Sequence, residues 1–321
     1  MTDERPAVSW TVVVPVKITS QAKTRLAGDL SPAQRVELVR AMVVDTVTAA
    51  RATPTVERVV VVTDDPDVVA DLQGRSPSVP PLPSWPGRPE QAVLDIVPEP
   101  SPAAGLNAAI RAGAAHVSAG GDAATVAVAV LLGDLPALRS RDLGDALDAA
   151  SAHARAVVTD AEGSGTTLLT VGAGVELRPA FGPGSAAEHA ARGHVVLNVP
   201  ARSGLRQDVD LATDLAAVAA LGPGPCTTEV LDRWARSTAD PGADPGAKPV
   251  AGPTAGPAVD TTAGPAVDTA ADPTADPAAN PVAGPTAGPA VDPAGDPARA
   301  PAADPAGDRP AAPPPVVRLS A

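Results

Sequence analysis

The chain has 321 residues and a formal net charge of −13, which excludes an overall attraction to nucleic acid, and it carries no basic patch interleaved with aromatics. A single cysteine, Cys226, excludes an internal disulfide and a cysteine-based zinc cluster and suits a reducing compartment. The opening MTDERPAVSW lacks the apolar core of a signal peptide, and no apolar run reaches the length of about 18 needed to span a membrane. The expectation is a cytoplasmic protein that handles a small molecule, with no membrane and no nucleic acid among its partners.

Composition divides the chain at residue 236. From Ser237 onward it is almost entirely Ala, Pro, Gly, Asp, Val and Thr. Residues 1–236 are enough for one well-buried α/β domain. Residues 237–321 read as a disordered, acidic spacer. Ten Asp against one Lys and three Arg give that tail −6 and leave −7 for the body. The fifteen prolines from Pro241 to Pro305 fall on a four-residue grid, vacant only at Thr261 and Thr269. Polyproline II turns every three residues, so this grid does not line up one recognition face.

In chain order, Trp10 to Val16 is a first strand, followed by the loop KITSQAKTRLAGDL with Lys17, Lys23 and Arg25. Ser31, Pro32 and Gln34 make a capping box that opens a helix running to Arg51. Val59 to Thr63 is a second strand, and a short helix covers 67–72. The Pro-rich stretch 73–104 lacks periodicity and reads as a long surface excursion. A helix covers Leu106 to Val117.

The central feature is Val126 to Pro136, VAVAVLLGDLP, an unbroken apolar run stopped by Gly133. Such a run is a strand buried on both faces of a parallel sheet. Asp134 follows at its carboxyl end, where α/β sheets place ligands. A helix over roughly 140–152 comes next, then strands at Ala156–Thr159 and Leu168–Val171, separated by the turn EGSGTT. A second turn, FGPGS, leads into a helix opened by Ser185 and Glu188 at capping-box spacing. Val195–Val199 and Leu205–Val209 would close the sheet, and helices near 212–221 and 227–236 would finish the domain.

Four clusters after strands carry candidate chemistry. Lysine is scarce (Lys17, Lys23 and Lys248 only), so Lys17, Lys23 and Arg25 on one loop suggest a cationic site for a triphosphate and its pyrophosphate leaving group. Asp134 and the pair Asp208 and Asp210 make three carboxylates. Residues two apart in an extended segment face one way, and clustered carboxylates repel unless a cation sits among them, which points to magnesium. The turns around Thr166 and Gly182 to Ser185 offer donors to an anionic substrate. The four histidines show no ligand spacing and read as surface or packing residues. Neither a Walker A sequence nor a strand-linked GxGxxG is present.

PVKITSQAKTRL, GDLPAL, GSGTTLL, FGPGSAAEH and GLRQDVD, in this order, resemble the 2-phospholactate/phosphoenolpyruvate guanylyltransferases over about Val12 to Thr228. These enzymes make the GTP-activated precursor of coenzyme F-420. The resemblance implies a nucleotide-diphospho-sugar-transferase-like, mixed but mostly parallel α/β sheet. It implies magnesium on Asp134, Asp208 and Asp210, and the three-carbon phosphoacid on Thr166, Gly182 and Ser185. Lys17, Lys23 and Arg25 would serve catalysis and, with Asn107, the nucleotide. Phosphoenolpyruvate is the favoured acid, with 2-phospholactate as the alternative and functional coupling to a downstream deazaflavin transferase. Glu188 beside an anion site and the Pro/Ala tail depart from the family pattern.

Two other readings remain. A sister transferase for a sugar phosphate or a molybdenum cofactor would carry LAGGxSxRxG where this chain has KITSQAKTRL. A non-catalytic nucleotide-binding module would present the tail to a partner.

Overall fold

A computed structural model describes residues 8–17, 23–74, 91–100, 105–120 and 126–239, with the backbone of 317–319. Its sheet has the order β7-β5-β6-β4-β1-β2-β3-β8. Strand β1 (Trp10–Pro15) runs parallel to β2 (Val56–Val62) on one side and to β4 (Ala127–Leu131) on the other. Strand β3 (Val93–Val97) extends the parallel set beyond β2. Strand β6 (Thr166–Val171) is antiparallel to both β4 and β5 (Arg155–Thr159), and β7 (Val195–Val196) pairs parallel to β5. Backbone 317–319 forms β8 (Val317–Leu319), antiparallel to β3.

The valine runs are buried because both sheet faces are covered. Successive side chains alternate across a strand. Val12 and Val14 of β1 and Val59 and Val61 of β2 therefore enter one core with Leu38, Met42 and Leu147. Those partners lie on α1 (Pro32–Arg51) and α4 (Ser140–Ala150). Val13, Val60 and Val62 enter the opposite core with Ala109 and Val117 of α3 (Leu106–Ala119). Gly113 lets α3 lie close on the sheet, since a Cβ there would press on Val13 and Val62.

The chain builds β1, β2 and β3 outward in one direction and then places β4 on the other side of β1. The reversal puts a crevice at the carboxyl ends of β1 and β4, the usual ligand position in such sheets.

Helix α1 begins as expected, with Ser31 and Gln34 forming both halves of a capping box. Helix α2 (Pro66–Leu72) is capped by Asp65. The last helix among the described residues, α7 (Pro225–Ala239), runs three residues past the expected boundary at 236. A tertiary contact sets its start: buried Asp45 of α1 accepts hydrogen bonds from the N–H groups of Cys226 (3.0 Å) and Thr227 (2.7 Å). Farther along α7, Arg233 and Trp234 both donate to Glu37 of α1.

Three expectations need correction. Strand β3 lies inside the stretch read as a surface excursion. Its pattern is broken by Asp95, a fully buried carboxylate that accepts from Arg58 (2.5 Å) and contacts His116 (3.1 Å). The segment 205–209 is not a strand. Gly204–Arg206 forms a 3-10 turn packed so closely on the Ala137 carbonyl that a Cβ at Gly204 would collide with it. The strand expected over 195–199 shortens to Val195–Val196, whose side chains are exposed at the sheet edge. The remainder of the stretch 73–104, namely 75–90 and 101–104, and the tail over 240–316 lie outside the described residues.

Candidate active site

Asp134 lies three residues past the end of β4. Thr46 fixes the chain just beyond it by accepting from Leu135 N–H (3.2 Å) while donating to the Met42 carbonyl (2.8 Å). Asp208 and Asp210 flank the buried Val209. The loop that carries them is held from both ends. Before it, Arg206 donates to the carbonyls of Thr159 (3.1 Å) and Asp160 (2.7 Å). After it, Asp214 in the first turn of α6 (Ala212–Leu221) accepts from the N–H groups of Asp210 (2.8 Å) and Leu211 (2.7 Å). One oxygen from each of Asp134, Asp208 and Asp210 then lies within 4.8 Å of the others.

Lys23 closes this cluster from the β1 loop, donating to Asp134 and to Asp210 (2.8 Å), with Arg25 3.5 Å from Asp210. Lys23 has φ 53 and is the one non-glycine with positive φ among the described residues. A left-handed turn of this kind costs a non-glycine residue on the order of 1 kcal/mol and persists where the surroundings determine it. Here the determinant is the ion pair with two aspartates.

The charges set each other. Burial would lower Lys23, but Asp134 and Asp210 outweigh it and hold the ammonium well above the ordinary lysine range. Burial would raise Asp210, yet Lys23 and then Arg25 bring it below the usual carboxylate value. Asp208 is pushed up to about 7, first by burial and then by the charges of Asp134 and Asp210. The three carboxylates and the three cations Lys17, Lys23 and Arg25 line one cleft of about 380 Å³ floored by Val16, Val39 and Val43.

The residues present fit a hard divalent cation. The donors are all oxygens, the preferred ligands of magnesium. Asp134 Oδ1 is buried and has no hydrogen-bond partner among the described residues.

A second cluster forms where the β5–β6 turn meets the segment before α5 (Ser185–Ala191). Thr166 Oγ1 lies 3.0 Å from His189 Nδ1 and 3.2 Å from Ser185 Oγ. His189 Nε2 accepts from Ala180 N–H (3.0 Å). Gly182 and Gly184 have φ 147 and 72, so the turn over them needs glycine. The capping box expected at Ser185 and Glu188 is not formed. Gly184 takes the N-cap position without a side-chain bond, Ser185 turns its hydroxyl to Thr166, and Glu188 pairs with Arg192 at 2.8 Å.

Asn107, expected at the nucleotide, uses both ends of its amide on one backbone unit. It donates to the Phe181 carbonyl (2.9 Å) and accepts from Phe181 N–H (2.8 Å). Its neighbour Leu106 lines the carboxylate cleft. This pair therefore connects the cleft to the Gly182 turn. Sequence reasoning missed His189, although it lies four residues past Ser185 on one helix face, a spacing that brings side chains together. It also missed Arg206, which stands inside the GLRQDVD motif, two residues before Asp208.

The crevice, the acidic triad and the cationic loop define a nucleotidyltransferase-like site. A family model described as MobA-like NTP transferase domain matches residues 37–207. A phosphoenolpyruvate guanylyltransferase from Sanguibacter keddieii is 75% identical over 244 residues, covering 71% of this chain and 86% of the relative. Another from Salinispora arenicola is 46% identical over 220 residues, covering 68% and 91%. A solved putative nucleotide-diphospho-sugar transferase from Desulfovibrio desulfuricans G20 aligns at TM-score 0.49 and 14% identity, covering 71% of this chain and 96% of that one. The chain belongs to the phosphoenolpyruvate guanylyltransferase family, within the MobA-like NTP transferases. Among the described residues, no helix is long and apolar enough to cross a membrane.

Proposed function

We propose that the chain transfers GMP from GTP to phosphoenolpyruvate, giving enolpyruvoyl-diphospho-guanosine and pyrophosphate. The observation that carries this is the 75% identity with a relative of that name over most of its length. A phosphate oxygen of the acid attacks the α-phosphorus of GTP. The bond from that phosphorus to the β-phosphate oxygen breaks, and pyrophosphate leaves in line. A phosphate dianion is already a competent nucleophile, so no covalent enzyme intermediate is required.

The chain's own residues supply position and charge. Lys17, Lys23 and Arg25 bind the triphosphate and neutralise charge on the leaving pyrophosphate. Thr166, Gly182 and Ser185 hold the phosphoacid, and the Asn107 clamp on Phe181 sets the turn that presents them. Asp134, Asp208 and Asp210 would hold magnesium, which when bound shields phosphate charge as a Lewis acid.

The same chemistry on 2-phospholactate is the second reading, and the names of the relatives favour the enol acid. A reaction that draws on GTP suits the cytoplasm. The activated product suits consumption by a deazaflavin transferase on the way to coenzyme F-420.

Transfer of label from α-phosphate-labelled GTP to the acid tests this reading directly. Labelled product and equimolar pyrophosphate are expected with GTP. No labelled product from a folded, GTP-binding protein would overturn the reading.

A further inference from the structure

We infer that His189 is a positioning residue for the acid substrate, its Nδ1–H bond to Thr166 leaving the Thr166–Ser185 pair one hydroxyl proton to donate to an anionic oxygen of that substrate. This rests on the guanylyl-transfer reading.

The argument is a proton count. A backbone N–H only donates, so Ala180 N–H at 3.0 Å makes His189 Nε2 an acceptor. A neutral imidazole then carries its proton on Nδ1. That proton lies on the bond to Thr166 Oγ1 at 3.0 Å, which makes the threonine oxygen an acceptor. The two hydroxyls hold two protons, and their mutual contact at 3.2 Å uses one. Whichever way that contact runs, one proton has no acceptor among the described residues. Thr166 and Ser185 are only 3% and 2% exposed, so leaving that donor unmet is costly. An anionic ligand oxygen meets it.

The imidazole is held neutral. It is fully buried, in edge-to-face contact with Phe181 and His194 at ring-centroid distances of 5.1 and 5.5 Å. Burial, then His194 and Arg192, lower its pKa to about 4 against the opposing charge of Glu188. With the tautomer fixed, the pair can donate to the ligand and cannot reverse into a pure acceptor. A phosphorylated carboxylic acid offers only acceptors there.

The test compares the full-length protein with His189→Phe, which fills the volume and removes the donor, and His189→Asn, which returns a donor near Nδ1. His189→Phe leaves the pair its free proton but removes the bond that orients Thr166, so the KM for phosphoenolpyruvate should rise about tenfold or more, with KM for GTP and kcat changed less than about twofold. His189→Asn should recover much of the loss. Nitrogen NMR of the wild type at neutral pH should show His189 as the Nδ1–H tautomer, a readout that stands even if a variant fails to fold.

An Nε2–H tautomer overturns the inference. So does an unchanged acid KM in folded His189→Phe, or a parallel loss for both substrates that His189→Asn does not relieve. A wild type that binds GTP but turns over neither acid overturns the functional reading itself, and this assignment with it.

Discussion

Asn107 and Phe181, 74 positions apart in the chain, exchange two hydrogen bonds, Asn107 Nδ2 to the Phe181 carbonyl (2.9 Å) and Phe181 N–H to Asn107 Oδ1 (2.8 Å). The pair places the Gly182 turn relative to α3, whose first residue, Leu106, lines the cleft. Asn107→Ala leaves both backbone groups of a largely buried residue without this partner, at a cost of about 1–3 kcal/mol. The expected outcome in initial-rate kinetics is a KM for phosphoenolpyruvate raised about tenfold, with KM for GTP nearly unchanged. A selective loss of GTP affinity would instead place Asn107 at the nucleotide.

Asp134 joins Lys23 to the cluster and keeps a second buried oxygen with no partner among the described residues. Asp134→Asn should lower kcat by about a hundredfold or more, the scale set by losing one preorganised electrostatic contact at a reacting phosphate. It should also weaken manganese binding measured by calorimetry, with the circular dichroism spectrum preserved. Near-normal turnover by a folded variant would remove Asp134 from the chemistry.

Burial and then the charges of Asp134 and Asp210 push Asp208 up to about 7, against an ordinary 3.8. The folded state therefore binds more protons than the unfolded chain between these values. The stability from this group is full below pH 3.8 and is lost as pH rises through about 7. A divalent cation must displace that proton, so its affinity should climb by up to about tenfold per pH unit until about 7 and then level off. Calorimetry across that range checks the slope, and Asp208→Asn should flatten it.

Asp45 accepts two N–H bonds at the start of α7. Asp45→Ala should cost on the order of 2 kcal/mol, a fall of about 4–8 °C in melting temperature for a domain of this size. Because Asp45 lies outside the cleft residues, kcat below the melting range should hold. Thermal denaturation followed by assay at 25 °C separates the two effects.

Deleting residues 240–321 removes the tail and β8, leaving the outer edge of β3 unpaired. An enzyme should keep its kcat within about twofold and lose on the order of 1 kcal/mol of stability from the lost edge pairing. Loss of turnover on truncation would give the tail a part in the site, and loss of a bound partner would favour the adaptor reading.

What could be read from the sequence was what local pattern controls. The run before Gly133 could only be a two-face-buried strand, and it delivered Asp134 to the sheet's carboxyl edge. Scarcity singled out Lys23, and the period of an extended chain paired Asp208 with Asp210. Contacts distant in sequence hid the rest. Asp95 breaks the apolar pattern of β3 and becomes tolerable only when Arg58 and His116, from two other elements, close on it. Ser185 fits a capping box by spacing, but the αL conformation of Gly184 and the nearness of Thr166 redirect its hydroxyl. The antiparallel direction of β6 was equally hidden, since one strand's pattern does not reveal the direction of its neighbours.

The measurement that bears most directly on the central claim is the initial rate of pyrophosphate release from GTP and magnesium. Phosphoenolpyruvate and 2-phospholactate are run in parallel, with the downstream deazaflavin acceptor and its transferase present to draw off product. The account predicts saturable release with phosphoenolpyruvate, slowed about a hundredfold or more by Asp134→Asn. Silence with phosphoenolpyruvate from a folded protein that binds GTP, or release with 2-phospholactate alone, would contradict it.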